Sequence, residues 1–408
     1  MSAVSTSRAS TNGAARVDVA VVGAGVVGLG VALAAVRRGL RVVVLERGSE
    51  ASGASIRNFG HLCATPQTGL ARSYAQVARE VWLDLARDAG VWMREQGTLV
   101  VARAADELAL LEEFAASRAR DGAPDEVVLL TARELEQRAP VAPGLAVGGA
   151  LLPLDLQANP RQALGAITAH LAGRGVDLRF RTAVGAVEPG LVRTARGEVR
   201  ADQVVVAVNH DIDLLFPEVA GRVGIVRCAL DMLRVEAPLR MPLPAPLLTG
   251  WSLVRYGGFV ETSAAVAVRD RLRAERPDLA ALDLNQMYTQ LPDGTLIVGD
   301  THARGETVSP FQVERTAELM LAETAELFGL GAGAMRVVER WQGVYASGPD
   351  DYLDVEVAPG VHLAAATTGI GMTTGFGLAE AVVARFADGA QTEPTTTTTT
   401  DQEARILA

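Results

Sequence analysis

The sequence predicts an α/β chain with a stretch of antiparallel β in its middle, and three observations carry that expectation. The first structured segment is strand, glycine turn, helix and strand. Residues 222–300 break into short β-rich pieces joined by Pro- and Gly-bearing turns. The last structured segment is again strand, glycine turn and helix.

The opening unit starts with the apolar run Val17–Val22, meets Gly23-Ala24-Gly25-Val26-Val27-Gly28, and continues as an alanine-rich helix from Leu29 to Arg38, closed by Gly39. Leu40–Leu45 follows as a second buried strand ending at Glu46. This is the βαβ pattern. Apolar residues from Leu70 to Trp92 recur near the helical period and predict a long amphipathic helix. Gly97–Ala102 reads as a strand and Asp106–Arg120 as a charged helix. Asn159 caps a helix that Pro160 opens and that runs to about Arg174. Val176–Val184 and Ala201–Asn209 read as strands.

In the middle, Gly224–Val235, Leu253–Val260, Gln286–Gln290 and Thr295–Gly299 read as strands, with Pro292-Asp293-Gly294 as a hairpin turn. Phe311–Phe328 is helical. Gly360–Ala366 is a strand, Gly369-Ile370-Gly371-Met372 a tight turn, and Thr373–Ala387 a helix.

The 408 residues suffice for two or three domains, and 49% of them are hydrophobic, enough for a large core. A net charge of −10 argues against a nucleic-acid partner. All 38 basic residues are arginine. The lack of lysine excludes Schiff-base chemistry and a P-loop. Cys63 and Cys228 stand 165 positions apart, which is neither a disulfide scaffold nor a zinc cluster, so no metal is expected. The same usage fits a reducing cytosol, and a cytoplasmic location is expected. No run of 18 uncharged apolar residues occurs, so no membrane span is expected. Residues 1–15 read as a loose arm and 391–408 as a disordered tail.

Gly23, Gly25 and Gly28 form G-x-G-x-x-G between a strand and a helix, with Glu46 lying 18 residues past the last glycine. The glycines allow a tight turn and close approach of backbone to a pyrophosphate; the acid suits ribose hydroxyls and repels a 2′-phosphate. Spacing alone does not separate FAD from NAD. The segment after the acid, Glu46-Arg47 through Ser52, Ser55, Arg57, Asn58 and Gly60, is small, polar and rich in hydroxyls. It can donate to a second phosphate and a ribityl chain.

This stretch resembles the D-amino-acid-oxidase-like flavoprotein superfamily, which includes glycine oxidase and sarcosine oxidase. Arg340-Trp341-Gln342-Gly343-Val344-Tyr345 is similar to that family's tryptophan–glycine strand, and Gly369-Ile370-Gly371-Met372-Thr373-Thr374 to its C-terminal glycine turn. The resemblance spans about Val17 to Ala387. It implies a discontinuous Rossmann-like FAD domain over 16–70, 140–220 and 336–390. A mixed or antiparallel-sheet substrate domain takes 71–139 and 221–335. It assigns FAD contacts to Gly23, Gly25, Val26, Gly28, Glu46, Arg47, Ser52, Ser55, Arg57, Asn58, Gly60, Val184, Asn209, Trp341, Gly343, Gly369, Gly371, Met372, Thr373 and Thr374. Relatives that bind the flavin covalently use a cysteine near the C-terminal turn. None lies there in this chain, so the FAD is expected to be noncovalent.

The resemblance further implies oxidation of a C–N bond in a small amine to an imine that hydrolyses, with O2 as acceptor yielding H2O2. In the absence of lysine, His61 or an arginine would supply positive charge for oxygen. Where glycine-oxidase-like relatives carry a carboxylate-binding arginine, this chain has Tyr345. Ser55–Gly60 and Thr373–Gly377 look closest to a branch proposed to oxidise aminophosphonates related to 2-aminoethylphosphonate. That substrate class, or its N-methyl form, is expected, with Arg255 as the anion clamp and His302 as a candidate second member. Arg255 and Tyr256 are expected on one strand with their side chains on opposite faces. His61 and His302 are candidates for holding a phosphonate or deprotonating the amine. A glycine- or sarcosine-type oxidase is the alternative, as is a flavin-binding protein without turnover.

Overall fold

The computed structural model describes residues 16–388; the expected arm at 1–15 and tail at 391–408 lie outside that range. One 16-stranded sheet runs through the described residues. At one end Val42–Leu45, Val17–Val22, Gly197–Val206 and Val361–Thr368 lie side by side and parallel. Val42–Leu45, most of Val17–Val22 and the Val204–Val206 end of the third strand are valine-rich and buried, as strands covered on both faces require. Helix Val26–Arg37 crosses over between the first two. Helix Gly371–Ala387 packs beside it, close enough that a Cβ on Gly30 would stand 2.9 Å from the side chains of Ala379 and Phe376.

The sheet then turns antiparallel. Arg336–Ala358 is the joint: its second half pairs with Val361–Thr368, and its first half pairs with Val226–Glu236. Leu296–Gly299, Met287–Gln290 and Leu247–Leu248 continue outward, the first two joined through the expected Pro292–Gly294 hairpin. Thr98–Ala102, Gly148–Leu152 and Val128–Thr131 finish that end of it. Three apolar clusters fill the interior. The largest lies around the antiparallel half, with Phe114, Phe259 and Tyr288 fully buried; the other two lie on either face of the parallel half.

Two expected strands differ. Leu253–Val260 is not extended. Gly250–Leu253 and Gly257–Val260 are single helical turns, with Val254, Arg255 and Tyr256 between them. Among the described residues no strand offers this segment a ladder; its amides go to nearby carbonyls, Arg255 N to Ser252 O at 3.2 Å and Gly258 N to Pro66 O at 2.9 Å. Gly257 and Gly258 permit that path, since a Cβ there would stand 2.6 Å from Thr68 Oγ1 and 2.8 Å from Phe114. The run Val176–Val184 is split into Asp177–Arg179 and a strand that begins at Val184. Between them Arg181 takes φ +53°, and Arg181 N and Thr182 N donate to Gly48 O and Glu46 O, closing the turn after Glu46. The middle third also carries helices at Ala265–Glu275 and Pro277–Ala281 that the antiparallel expectation omitted. Among the described residues no helix is long and apolar enough to cross a membrane.

Candidate functional site

A trough follows the carboxyl ends of the parallel strands and opens into a larger cavity at the joint with the antiparallel half. At the far end is a pocket of about 340 Å³, lined by Gly23, Glu46, Arg47, Ser52, Val184 and Asn209 among others. Gly25, Ser55, Ala207 and Asn209 carry it into a narrow neck of about 110 Å³ beside Arg57, Gly343 and Gly371. Asn58, Leu230, Tyr345, Gly369 and Met372 then lead into a cavity of about 570 Å³.

Local sequence explains each wall. Gly23 holds φ +101°, and a Cβ there would meet Ala207 O at 2.6 Å, so only glycine lets the two loops close on each other. Gly25 precedes helix Val26–Arg37, which has no side-chain cap of its own and no acid in its first turn. Ser55 Oγ instead accepts from Val26 N at 3.0 Å across the neck. Its hydroxyl hydrogen stays available to a second acceptor. Glu46 accepts from Ala24 N at 2.9 Å and Gly48 N at 2.7 Å, which fixes its carboxylate at the rim of the far pocket. Arg47 pairs with Asp211 at 2.6 Å across the same pocket. Asn58 folds back on Ala54 O and Gly60 N.

The Trp341–Tyr345 segment meets the Ser52–Gly60 loop directly. Trp341 Nε1 donates to Arg57 O at 3.3 Å, and a Cβ on Gly343 would stand 2.9 Å from that same oxygen. Asn209, at φ +59°, accepts from Ala346 N at 2.7 Å. On the other side, Trp82 Nε1 donates to Met372 O and Cys63 N to Thr373 Oγ1, pinning the start of helix Gly371–Ala387. Thr374 turns its hydroxyl back to Ile370 O. That helix also lacks a side-chain cap and an acid in its first turn.

Two helix N-termini without an acid in the first turn, facing one narrow trough, are a natural seat for a diphosphate and for an electron-rich ring edge. A trough that runs from a carboxylate-rimmed pocket, through a glycine-walled neck, into a broad cavity fits an extended dinucleotide such as FAD. That fit rests on the glycine walls and the two helix N-termini.

In the broad cavity, Arg255 Nη1 donates to the Asp283 carboxylate at 2.7 Å and to the Asp283 carbonyl at 3.1 Å. Arg304 Nη1 reaches the other carboxylate oxygen at 2.7 Å. Arg255 and Tyr256 both line this cavity, contrary to the alternation a strand would have imposed. Arg304, Asp283 and Asn285 escaped the sequence reading. Arg304 sits two residues past His302, so following that loop further would have found it.

Burial keeps both candidate histidines neutral. Burial holds the His61 imidazole down to about 3, so it is neutral and supplies no charge to oxygen. Its Nε2 lies 2.6 Å from Thr98 Oγ1, and burial raises the nearby Asp155 carboxyl to about 6. Ligand atoms of His61, Cys63 and Asp155 lie within 4.8 Å of one another, but Thr65 N and Oγ1 take one oxygen of Asp155, and burial pushes the Cys63 thiol up. His302 is likewise held below its ordinary value by burial and by the Arg255 charge, so it is no cationic phosphonate ligand. Burial raises the Tyr345 phenol, which remains a neutral group; it packs on Gly369, where a Cβ would stand 3.1 Å from the ring.

Solved structures share this architecture. L-proline dehydrogenase from P. horikoshii superposes with a TM-score of 0.75 at 18% identity, covering 92% of this chain and 94% of that one. Glycine oxidase from Geobacillus kaustophilus gives 0.73 at 21%, covering 94% and 97%. Iminodiacetate oxidase from Chelativorans sp. BNC1 gives 0.72 at 15%, covering 93% and 97%. No curated protein matches the chain. From residue 18 to residue 385, however, the sequence matches the family described as FAD dependent oxidoreductase (DAO), and the chain belongs to that family.

Proposed function

We propose that this flavoenzyme oxidises the C–N bond of a small amine that carries an acidic group, with an aminophosphonate of the 2-aminoethylphosphonate type or its N-methyl form as the preferred substrate. One observation carries the reading: Arg255 and Arg304 converge on a single carboxylate inside the cavity. Asp283 holds the place of a substrate oxyanion and is itself partly exposed, so it can turn aside. A phosphonate presents three oxygens and up to two charges, which suits two planar guanidinium forks.

In this reading Gly23, Gly25, Val26, Gly28, Glu46, Ser52, Ser55, Asn209, Gly343 and the Gly369–Thr374 turn hold FAD, with Arg47, Arg57, Asn58, Gly60, Val184 and Trp341 at its margins. Residues 16–70, 140–220 and 336–390 form the FAD domain, and 71–139 with 221–335 the substrate domain. Bound there, FAD would supply a two-electron acceptor for the hydrogen on the carbon next to nitrogen. The chain's own residues bind the acidic end, exclude water with Tyr256, Met287 and Tyr345, and leave the amine end against Asp300 and His302. Hydrolysis of the resulting imine yields a carbonyl compound.

O2 is the acceptor in this reading. Aerobic incubation with an amine panel tests it: 2-aminoethylphosphonate and its N-methyl form are expected to give peroxide and a carbonyl product faster than glycine or sarcosine. Names of two structural neighbours, glycine oxidase and iminodiacetate oxidase, favour the second reading, an amino-acid-type amine. Higher rates with glycine or sarcosine would establish it. Reduction by no amine would leave a flavin-binding protein without turnover.

The FAD should be noncovalent. Both cysteines are buried, and burial raises both thiols rather than leaving thiolates. Acid precipitation is therefore expected to release all yellow colour into the supernatant. Colour retained on the pellet would contradict this.

A further inference from the structure

We propose that Asp300 and His302 form the subsite for the substrate's ammonium group, and that Asp300 accepts the proton this nitrogen must lose before oxidation. The proposal deepens the reading of the cavity as an amine site and rests on it.

Hydrogen-bond accounting leads there. His302 Nδ1 lies 2.9 Å from the backbone carbonyl of Asp283. A carbonyl only accepts, so Nδ1 carries the hydrogen and, in a neutral ring, Nε2 is a bare acceptor. The nearest acid to that nitrogen is Asp300 Oδ2, at 3.8 Å. Asp300 is buried in the cavity wall, and its Oδ1 has no hydrogen-bond partner. An acceptor nitrogen and a carboxylate with one unpartnered oxygen thus stand together in a polar cavity wall. Their complement is a cation with several N–H donors. The nearby guanidiniums of Arg255 and Arg304 are already committed to Asp283. A primary or secondary ammonium has the donors and the charge.

The carboxyl is rigidly presented. Asp300 N and O pair with Asn285 O and N, both at 2.7 Å, and Ser252 Oγ donates to Asn285 Oδ1 at 2.8 Å. In the transfer the N–H bond breaks, its electron pair stays on nitrogen, and an O–H bond forms on the Asp300 carboxylate. No oxidant takes part in this step.

Titration agrees with the geometry. Burial raises Asp300 to about 7, against the pull of Arg255 and a hydrogen bond from Asn285. Other groups that face it are Asp283, His302, Tyr256, Cys228, Tyr345 and Arg304. Burial raises Tyr256, Cys228 and Tyr345 and keeps them neutral, while Asp283 is held low and Arg304 high, so both keep their charges. Asp300 is thus the member of this group that changes charge near neutrality.

tert-Butylamine is the probe, because it has no hydrogen on the carbon bonded to nitrogen and cannot be oxidised. Ethylphosphonate is the matching probe for the acidic end. Both are titrated into the FAD-loaded protein and followed by the flavin spectrum. Asp300→Asn imitates the protonated acid without the charge. It is expected to weaken tert-butylamine about tenfold or more and to leave ethylphosphonate within about twofold. In the wild type, tert-butylamine affinity is expected to fall about tenfold per pH unit below the Asp300 titration and to level off above it. That measurement does not depend on how the variant folds.

Equal weakening of both probes, no weakening of tert-butylamine, a flat wild-type pH profile or no wild-type response to the amine would each overturn the proposal. Failure of aminophosphonates as substrates would appear in the turnover panel and would not alter this binding pattern.

Discussion

Gly28→Ala is expected to yield protein almost devoid of FAD. A Cβ at this position would stand 2.0 Å from the carbonyl oxygen of Gly23 and 3.0 Å from its carbon. Both are backbone atoms of the same turn, so the methyl group can fit only if the turn opens. Overpacking of this kind costs roughly 1–3 kcal/mol or more, and the opened turn no longer brings strand end and helix start together around the neck. The flavin-to-protein ratio, read from the visible and ultraviolet absorbance, checks it. Gly165→Ala is the control. That glycine lies in helix Pro160–Gly173 with open space around it, so the change should leave FAD in place and stabilise the helix by up to about 1 kcal/mol. Equal FAD in the Gly28 variant and the wild type would show that the turn does not shape the cofactor site.

Arg255→Met and Arg304→Met should separate acidic amines from plain ones. Losing one charged hydrogen-bond partner costs roughly 1.5–3 kcal/mol, or about 10- to 150-fold in kcat/KM for an aminoalkylphosphonate. Both guanidiniums touch Asp283, so their effects should not add, and a double variant measures the coupling. Ethylamine, which has no acidic end, should lose far less. FAD should stay bound, since neither side chain lines the neck or the far pocket. A uniform loss across acidic and plain amines would remove the clamp from the account.

The dinucleotide end was legible in the sequence because it depends on backbone. Gly23, Gly25 and Gly28 are there because a Cβ has no room, and local spacing reveals such positions. The meeting of the Ser52–Gly60 loop with Trp341–Gly343 was legible only through family likeness, since nothing local joins residues nearly 300 positions apart. The substrate end was read less well. Arg255 was placed on a strand because Leu253–Val260 is apolar and β-branched at its ends. The chain instead found local carbonyls and packed its glycine pair against Thr68 and Phe114. That shift puts Arg255 and Tyr256 on the same cavity. The charge states of His61 and His302 were also out of reach, because burial decides them and burial is a property of the assembled fold. Arg304 meets Asp283 through a contact 21 residues apart that no motif announces.

Anaerobic mixing of the FAD-loaded protein with 2-aminoethylphosphonate tests the central claim most directly, because it isolates the reductive half of the reaction from any acceptor. The flavin band should bleach in a single fast phase. The rate should rise with pH through neutrality as Asp300 ionises, and should exceed the rates with ethylamine, glycine and sarcosine. A flavin that stays oxidised with the aminophosphonate, or that bleaches faster with glycine or sarcosine, would contradict the account.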